Sequence, residues 1–333
     1  MDANQTQQLF FNHIKSKLPL HLSFVDEMAE DLNISNDSAY RRIRGEKPIT
    51  LEEMFVLCRK YHVSADRFFQ LESNAVIFSV DKVDHLSFGF NKYLEFVLSN
   101  LKLFKLLENP TIIFYFKDIP IFHYLPFPEL SAFKFFFWKR TLMAYPELAK
   151  QQFNGEEADV ETLETSKKII DLYAQIPCID IWNEESVNIT IKQIEFYRQS
   201  NVFASRELLL KVYSQLEEAL DQLEMQAEAG RKFSYGQPVT LNSGAPYDVF
   251  INESLIGDNT IYAQGGEKKI TFINHNGLNF MSTQDKTFCD YTYKTLQNIM
   301  RKSMHISATG ENQRSMFFNT LRGKIYEKKK NII

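Results

Sequence analysis

The side chains of this 333-residue chain best suited to chemistry crowd into one short run, NISNDSAYRRIRGEKP, from Asn33 to Pro48. The chemistry they suit is hydrogen bonding rather than bond making. A guanidinium is a rigid fork of donors that matches guanine O6 and N7 or a phosphate; an amide matches adenine, and a carboxylate accepts from cytosine. On that basis Asn36, Ser38 and Arg41 are assigned to base edges. Asp37 either accepts from cytosine or caps a helix. Arg42, Arg44, Lys47 and the Tyr40 hydroxyl are assigned to phosphates, which position without specifying sequence.

Such groups act together only if a helix holds them on one side. Ser35 is a good N-cap for a helix over roughly Asn36 to Arg44, Gly45 a good stop, and Pro48 lies just beyond. At ~100° per residue Ala39 and Ile43 share one side. Asp37, Ser38, Arg41 and Arg44 then project on the other, with Tyr40 and Arg42 flanking. A preceding helix, Phe24 to Leu32, offers the small Ala29 for close approach. Asn33 sits at the tight turn between the two, where a left-handed backbone is needed and Asn tolerates it. Further helices are expected over 5–17, with Leu9, Phe10, Ile14 and Leu18 on one side, and after Thr50. There TLEE makes a capping box with Glu53, and Leu51, Met54, Phe55, Leu57 and Cys58 form the apolar side. A short fifth helix capped by Ser64 carries Phe68 and Phe69.

Residues 20–70 resemble the lambda-repressor/Cro-like (XRE-type) helix-turn-helix family of transcriptional regulators. The resemblance rests on VDEMAEDLNIS, NDSAYRRIRGEKPITLEEM and LCRKYHVSADRFF and covers about a fifth of the chain. It implies a scaffold helix, a recognition helix with a glycine stop lying in the major groove, and two closing helices. The chain departs from the family at Val25, where a phosphate-touching Gln is frequent, and at Ile43, where an acid often precedes the last Arg-Gly.

Composition narrows the partners. Net charge is −4, so the chain is no polycation. Residues 1–72 carry nine Lys/Arg against eleven Asp/Glu, leaving only the run Tyr40–Lys47 basic. Modest non-specific affinity and a dimer on two half-sites are therefore expected. Three distant cysteines, Cys58, Cys178 and Cys289, with no CxxC spacing argue for a reducing compartment and against zinc or a disulfide framework. The start lacks a basic region followed by an apolar run, so no secretory signal is expected. The most apolar segment, Thr111–Trp138, is interrupted by charges and prolines, so no membrane crossing is expected. A cytoplasmic, nucleoid-associated protein follows.

At roughly 150 residues per domain the chain has two or three. The expected fold class is mainly α: a five-helix head over 1–72, a linker over 73–85, a larger all-α dimerisation and sensor region over 86–232, and a small α+β region over 233–333. Helices are expected over 90–107, 131–148, 161–176, 190–199, 205–229, 285–303 and 313–327. Strands are expected at YDVFINES, NTIYAQ, KKITFIN and LNFMST, with AQGGEKK as a hairpin connection. The aromatic run IIFYFKDIPIFHYLPFPEL reads as core, as an apolar effector pocket or as a dimer interface.

No Walker loop, GxSxG or HExxH is present, so no enzyme is expected; a cleft with converging polar groups would reopen that class. His275, Asp285, Cys289 and His305 match no metal spacing, and neither metal nor cofactor is expected. Glu311 and Arg314 read as a surface pair, and His123 as a satisfied core histidine. The function expected is a bacterial one-component DNA-binding regulator. Its partners would be double-stranded DNA, a second copy of itself and a small-molecule or peptide effector. The alternatives are a repressor or architectural protein with a purely structural assembly region, and a peptide-sensing helical-repeat regulator.

Overall fold

A computed structural model describes residues 3–19, 21–65, 75–80, 89–156, 158–237, 243–255, 257 and 259–332. The chain forms two compact units, Met1–Ile77 and Phe78–Ile333. The fifth helix expected around Phe68 and Phe69, and most of the linker, lie outside the described residues.

The first unit is built from α1 (Ala3–Lys15), α2 (Phe24–Asp31), α3 (Asn36–Ile43) and α4 (Leu51–Lys60). Its core is Phe10, Phe11, Ile14, Met28, Ala29, Ala39, Leu57 and Val63. The apolar sides of α1 and α4 differ from expectation. Phe11 rather than Leu9 is buried in α1, and in α4 Leu51 (78% exposed) and Phe55 (62%) face out while Leu57 is buried. Spacing alone could not choose between two apolar stripes of similar width.

The second unit corrects the expected fold class. It is a mixed α/β structure around one eight-stranded sheet, in the order β1-β7-β6-β5-β2-β3-β4-β8. The strands are β1 (Ser79–Val80), β2 (Thr111–Tyr115), β3 (Cys178–Trp182), β4 (Tyr247–Ile251), β5 (Thr260–Gly265), β6 (Lys268–Asn274), β7 (Phe280–Thr283) and β8 (Met304–His305). β2, β3 and β4 are parallel neighbours, and the other pairings are antiparallel. Two central strands thus come from the segment expected to be all helical, and they pair with strands from beyond residue 233. No separate C-terminal region exists. TIIFY and CIDIW are central and covered on both faces, so they lack the polar alternation that marks a half-exposed strand.

Alternation survives in the packing. Ile112 and Phe114 enter a large core with most of the helices, while Ile113 and Tyr115 enter a smaller one with Cys289, Leu296 and Ile299. The helices are α5 (Phe90–Lys105), α6 (Pro128–Phe137), α7 (Val160–Tyr173), α8 (Asn188–Gln199), α9 (Arg206–Ala229), α10 (Lys286–Arg301) and α11 (Glu311–Lys330). Among the described helices, α10 alone supplies buried residues to the smaller core. α9 packs between α6 and α11. Side-chain caps from Asp159, Ser205 and Asp285 start α7, α9 and α10. The helix expected over 131–148 instead starts at Pro128, loosens into a π turn over Trp138–Leu142 and gives way to a short 3-10 turn at Pro146–Leu148. Arg314 is no surface residue: it is buried and donates to the carbonyls of Ile306 and Thr309.

Candidate nucleic-acid interface

The candidate face is built from the turn upward. Asn33 adopts φ 51°, and Ile34 N–H returns to Ala29 O at 2.9 Å, closing the end of α2. Ser35 caps α3, its Oγ accepting from Ser38 N–H at 3.3 Å, so Asp37 is not the cap. Ala39 is buried and Ile43 packs against the same core, which fixes the rotation of α3.

Asp37, Tyr40, Arg41, Arg44 and Lys47 are exposed, and Ser38 is half-buried. The side chain of Arg41 makes no hydrogen bond or ion pair with the described residues. Arg44 lies 5.5 Å from the Tyr40 ring and 3.3 Å from Glu46, contacts whose exposure leaves them weak and exchangeable. Asn36 is exposed but already engaged: its Nδ2 donates to Asp26 Oδ1 at 2.7 Å, tying α3 to α2.

Arg42 does not belong to this face. It is 5% exposed, and its guanidinium grips Glu53 with Nε–Oε2 at 2.9 Å and Nη2–Oε1 at 2.6 Å. A third donor, Nη1, reaches Ser38 O at 3.2 Å. Assigning Arg42 to phosphate is therefore corrected: it joins α3 to α4. Glu53 also accepts from Thr50 N–H while Thr50 Oγ1 accepts from Glu53 N–H, completing the capping box. Burial pushes the Glu53 carboxyl up. The Arg42 hydrogen bonds, the Thr50 N–H and the charges of Arg42 and Lys47 outweigh burial and hold it below the usual carboxylate range.

The loop that presents Arg44 and Lys47 is fixed by residues absent from the sequence-based assignment. Gln7 Nε2 donates to Arg42 O at 2.7 Å and Lys47 O at 2.8 Å, and Gln7 Oε1 accepts from Ile49 N–H at 2.9 Å. Gln8 Nε2 donates to Arg44 O at 2.5 Å. The signal was available: two amides on α1, one turn before buried Phe10 and Phe11, facing carbonyls that no helix or strand satisfies. Gly45 has φ 75°, and a Cβ there would lie 3.1 Å from Asn4 O.

Among its described residues the second unit holds two polar clusters and two pockets. Asp180 on β3 is fully buried; its Oδ2 accepts from the Tyr247 hydroxyl at 2.7 Å and lies 3.3 Å from His123 Nε2. Tyr173 OH also lies 3.3 Å from that nitrogen. Lys232 Nζ donates to Tyr173 O, Ile176 O and Cys178 Sγ, each at 2.8 Å. Burial, then the Asp180 charge, pushes both tyrosine hydroxyls well up; burial pushes the Lys232 amine down and the Cys178 thiol up to about 11. Most of these groups bind each other, though Asp180 Oδ1 has no partner among the described residues. The second cluster joins Lys134 Nζ to Asp118, Thr190 and Gln193 at 2.9–3.1 Å. The second network is closed on itself and specifies packing, whereas His123, Tyr173 and Lys232 of the first also line a small pocket with Phe122, Gln222 and Gln226.

Among the described residues no group of three His, Cys, Asp or Glu is placed to hold a metal ion. His305 instead pairs with Asp248, and Asp285 caps α10. The other pocket lies between α5 and the strands β2, β5, β6 and β7, with the 116–122 loop closing one side; it is partly open to solvent and encloses about 100 Å³. It draws Ile112, Phe114, Phe116, Pro120, Ile121 and Phe122 from the aromatic run. No protein-family model, no curated protein and no solved structure matches the chain.

Proposed function

We propose that the chain is a sequence-specific DNA-binding transcriptional regulator that works as a homodimer. The first unit would lay α3 in the major groove of double-stranded DNA, and the second would assemble two copies and sense an effector. The observation carrying this reading is the division of labour on α3. Ala39, Ile43 and Arg42 anchor it, and Asn36, Asp37, Ser38 and Arg41 are left on a polar outer face flanked by Tyr40, Arg44 and Lys47.

In this reading Arg41 and Ser38 meet base edges, and Asn36 joins them through its carbonyl oxygen or by releasing Asp26. Arg44, Lys47 and Tyr40 meet phosphates. The modest local charge makes two half-sites about 34 Å apart necessary for useful affinity. An effector would act by favouring one spacing of the two heads over another. The reading requires no catalytic step and places the protein on DNA in the cytoplasm. Among the described residues, no helix is long and apolar enough to cross a membrane.

The test is selection from random duplex DNA at a fixed salt concentration, followed by Arg41→Ala. An enriched site bound as tightly by Arg41→Ala as by the unmodified chain would overturn the assignment of α3 to base readout. The apolar, partly open pocket under α5 gives an effector a place to bind, which supports sensing over a purely structural second unit.

A further inference from the structure

We infer that the pocket under α5 binds an uncharged small molecule with a flat or extended apolar body and one hydrogen-bond donor, a hydroxyl or N–H. Its role as an effector rests on the regulator reading; its occupancy does not.

Size and wall chemistry set the ligand class. The space under α5 opens partly to solvent and its walls enclose about 100 Å³, room for a flat ring or a stretch of chain rather than for a whole drug-sized molecule. None of the described residues lining it carries a charge. An ionised ligand group brought among these walls would lose water and gain no counter-ion. The rings are set as flat surfaces: Phe116 and Phe280 lie within 19° of parallel at 6.2 Å, and Phe104 meets Phe272 edge-on at 6.3 Å. Planar rings or an extended chain fit between such faces.

The donor requirement comes from Asn100. Its Nδ2 donates to Phe96 O at 2.9 Å, one turn back on α5. Its Oδ1 accepts nothing from the described residues, so the pocket offers an acceptor. The same feature argues against a peptide. An extended peptide brings an N–H and a C=O with every residue, and one amide with the Tyr93 hydroxyl cannot satisfy them. A second protein copy is disfavoured by shape, since the walls belong to one helix and the concave face beneath it.

The test uses the full chain and N-phenyl-naphthylamine, an uncharged flat probe with one N–H. Its fluorescence should rise saturably to one site per chain. A long-chain alcohol should displace it at least about tenfold better than the matching carboxylate at neutral pH, as expected where a buried charge is uncompensated. Val97→Trp fills the pocket from the helix and Ile261→Trp from the sheet; each should weaken the probe about tenfold or more while melting as the parent does. Asn100→Leu should weaken the N–H probe and spare an all-hydrocarbon competitor.

Absence of saturable binding up to the probe's solubility limit, or equal displacement by alcohol and carboxylate, overturns the proposal. So does unaltered binding in a folded tryptophan variant. If those variants fail to fold, the alcohol–carboxylate comparison on the unmodified chain decides alone. DNA binding measured on the same samples separates the two readings. A chain that binds DNA but no probe sinks the pocket assignment only, and a chain that binds probe but no DNA sinks the regulator only.

Discussion

Arg42 and Glu53 form a two-pronged ion pair across α3 and α4, with both contacts at 2.9 Å or less and both side chains largely out of solvent. Arg41, its neighbour, faces outward with no hydrogen bond or ion pair to the described residues. Adjacent arginines of one helix thus differ in kind: Arg42 holds the fold together, and Arg41 faces solvent.

Arg42→Ala and Arg41→Ala should therefore fail in different ways. Removing Arg42 strands a partly buried carboxylate and should cost roughly 2–4 kcal/mol, less than for a fully dry pair because Glu53 keeps some solvent. Removing Arg41 should change stability by no more than about 0.5 kcal/mol and weaken specific DNA binding. Thermal melts and binding curves on both variants check this. Equal melting temperatures for the two variants would contradict the placement of Arg42.

The same carboxylate gives the first unit an acid sensitivity. The Glu53 pKa is lowered in the fold, so its contribution is fully present above the ordinary carboxylate range and is lost as pH falls through the lowered folded value. Glu53→Gln should be less stable near neutrality, and the gap to the parent should narrow from about pH 5 to about pH 3. A gap that stays constant with pH would show that the charge on Glu53 contributes nothing.

These contrasts also mark how far the sequence could be read. The Asn33 turn, the Ser35 cap, the Gly45 stop and the Thr50–Glu53 box are local devices, each complete within four residues, and their geometry follows from residue type. Arg42 lies at the flank of a helical wheel, and its direction is decided by a carboxylate eleven positions on, which no wheel contains. Gln7 is further from its partners still. In the second unit, the strands with one partly open face kept their β character in the sequence. β2 and β3, buried on both faces, looked like any other apolar run. Asp180, the polar residue inside β3, was the clue that a buried network had to surround it, and its partners come from 57 and 67 positions away.

Gly45→Ala should destabilise the first unit by roughly 1–3 kcal/mol, through its left-handed φ and the approach to Asn4 O. Because the same loop carries Arg44 and Lys47, DNA affinity should fall as well. A melt and a salt titration of binding read the two effects separately. An unchanged melting temperature would mean that the 42–49 loop relaxes freely.

Cys178 should be inert in the native protein. It is buried, its thiol is pushed up to about 11, and Lys232 donates to its sulfur. Little thiolate exists at neutral pH, and a reagent cannot reach it. Cys289 is equally buried, whereas Cys58 is half-buried in the first unit. Labelling with iodoacetamide and peptide mapping should show Cys58 modified first, and Cys178 only at the rate at which the second unit opens. Prompt labelling of Cys178 in a folded sample would contradict its burial beneath Lys232.

The division at Ile77 carries the last prediction. The first unit has its own core, its own caps and its own ion pairs, so a fragment ending at Ile77 should fold unaided. Its net charge is not positive, and in the proposed reading one α3 would meet one half-site. The full chain, if the second unit joins two heads, gains the second half-site at high effective concentration and should bind an enriched site roughly 100-fold or more tightly than the fragment. Both should show the same dependence on Arg41, since that contact belongs to each head alone. Measuring both proteins against one site, at one salt concentration, tests assembly and readout together. Equal affinities would leave α3 as a reader of DNA and remove the second unit from the mechanism.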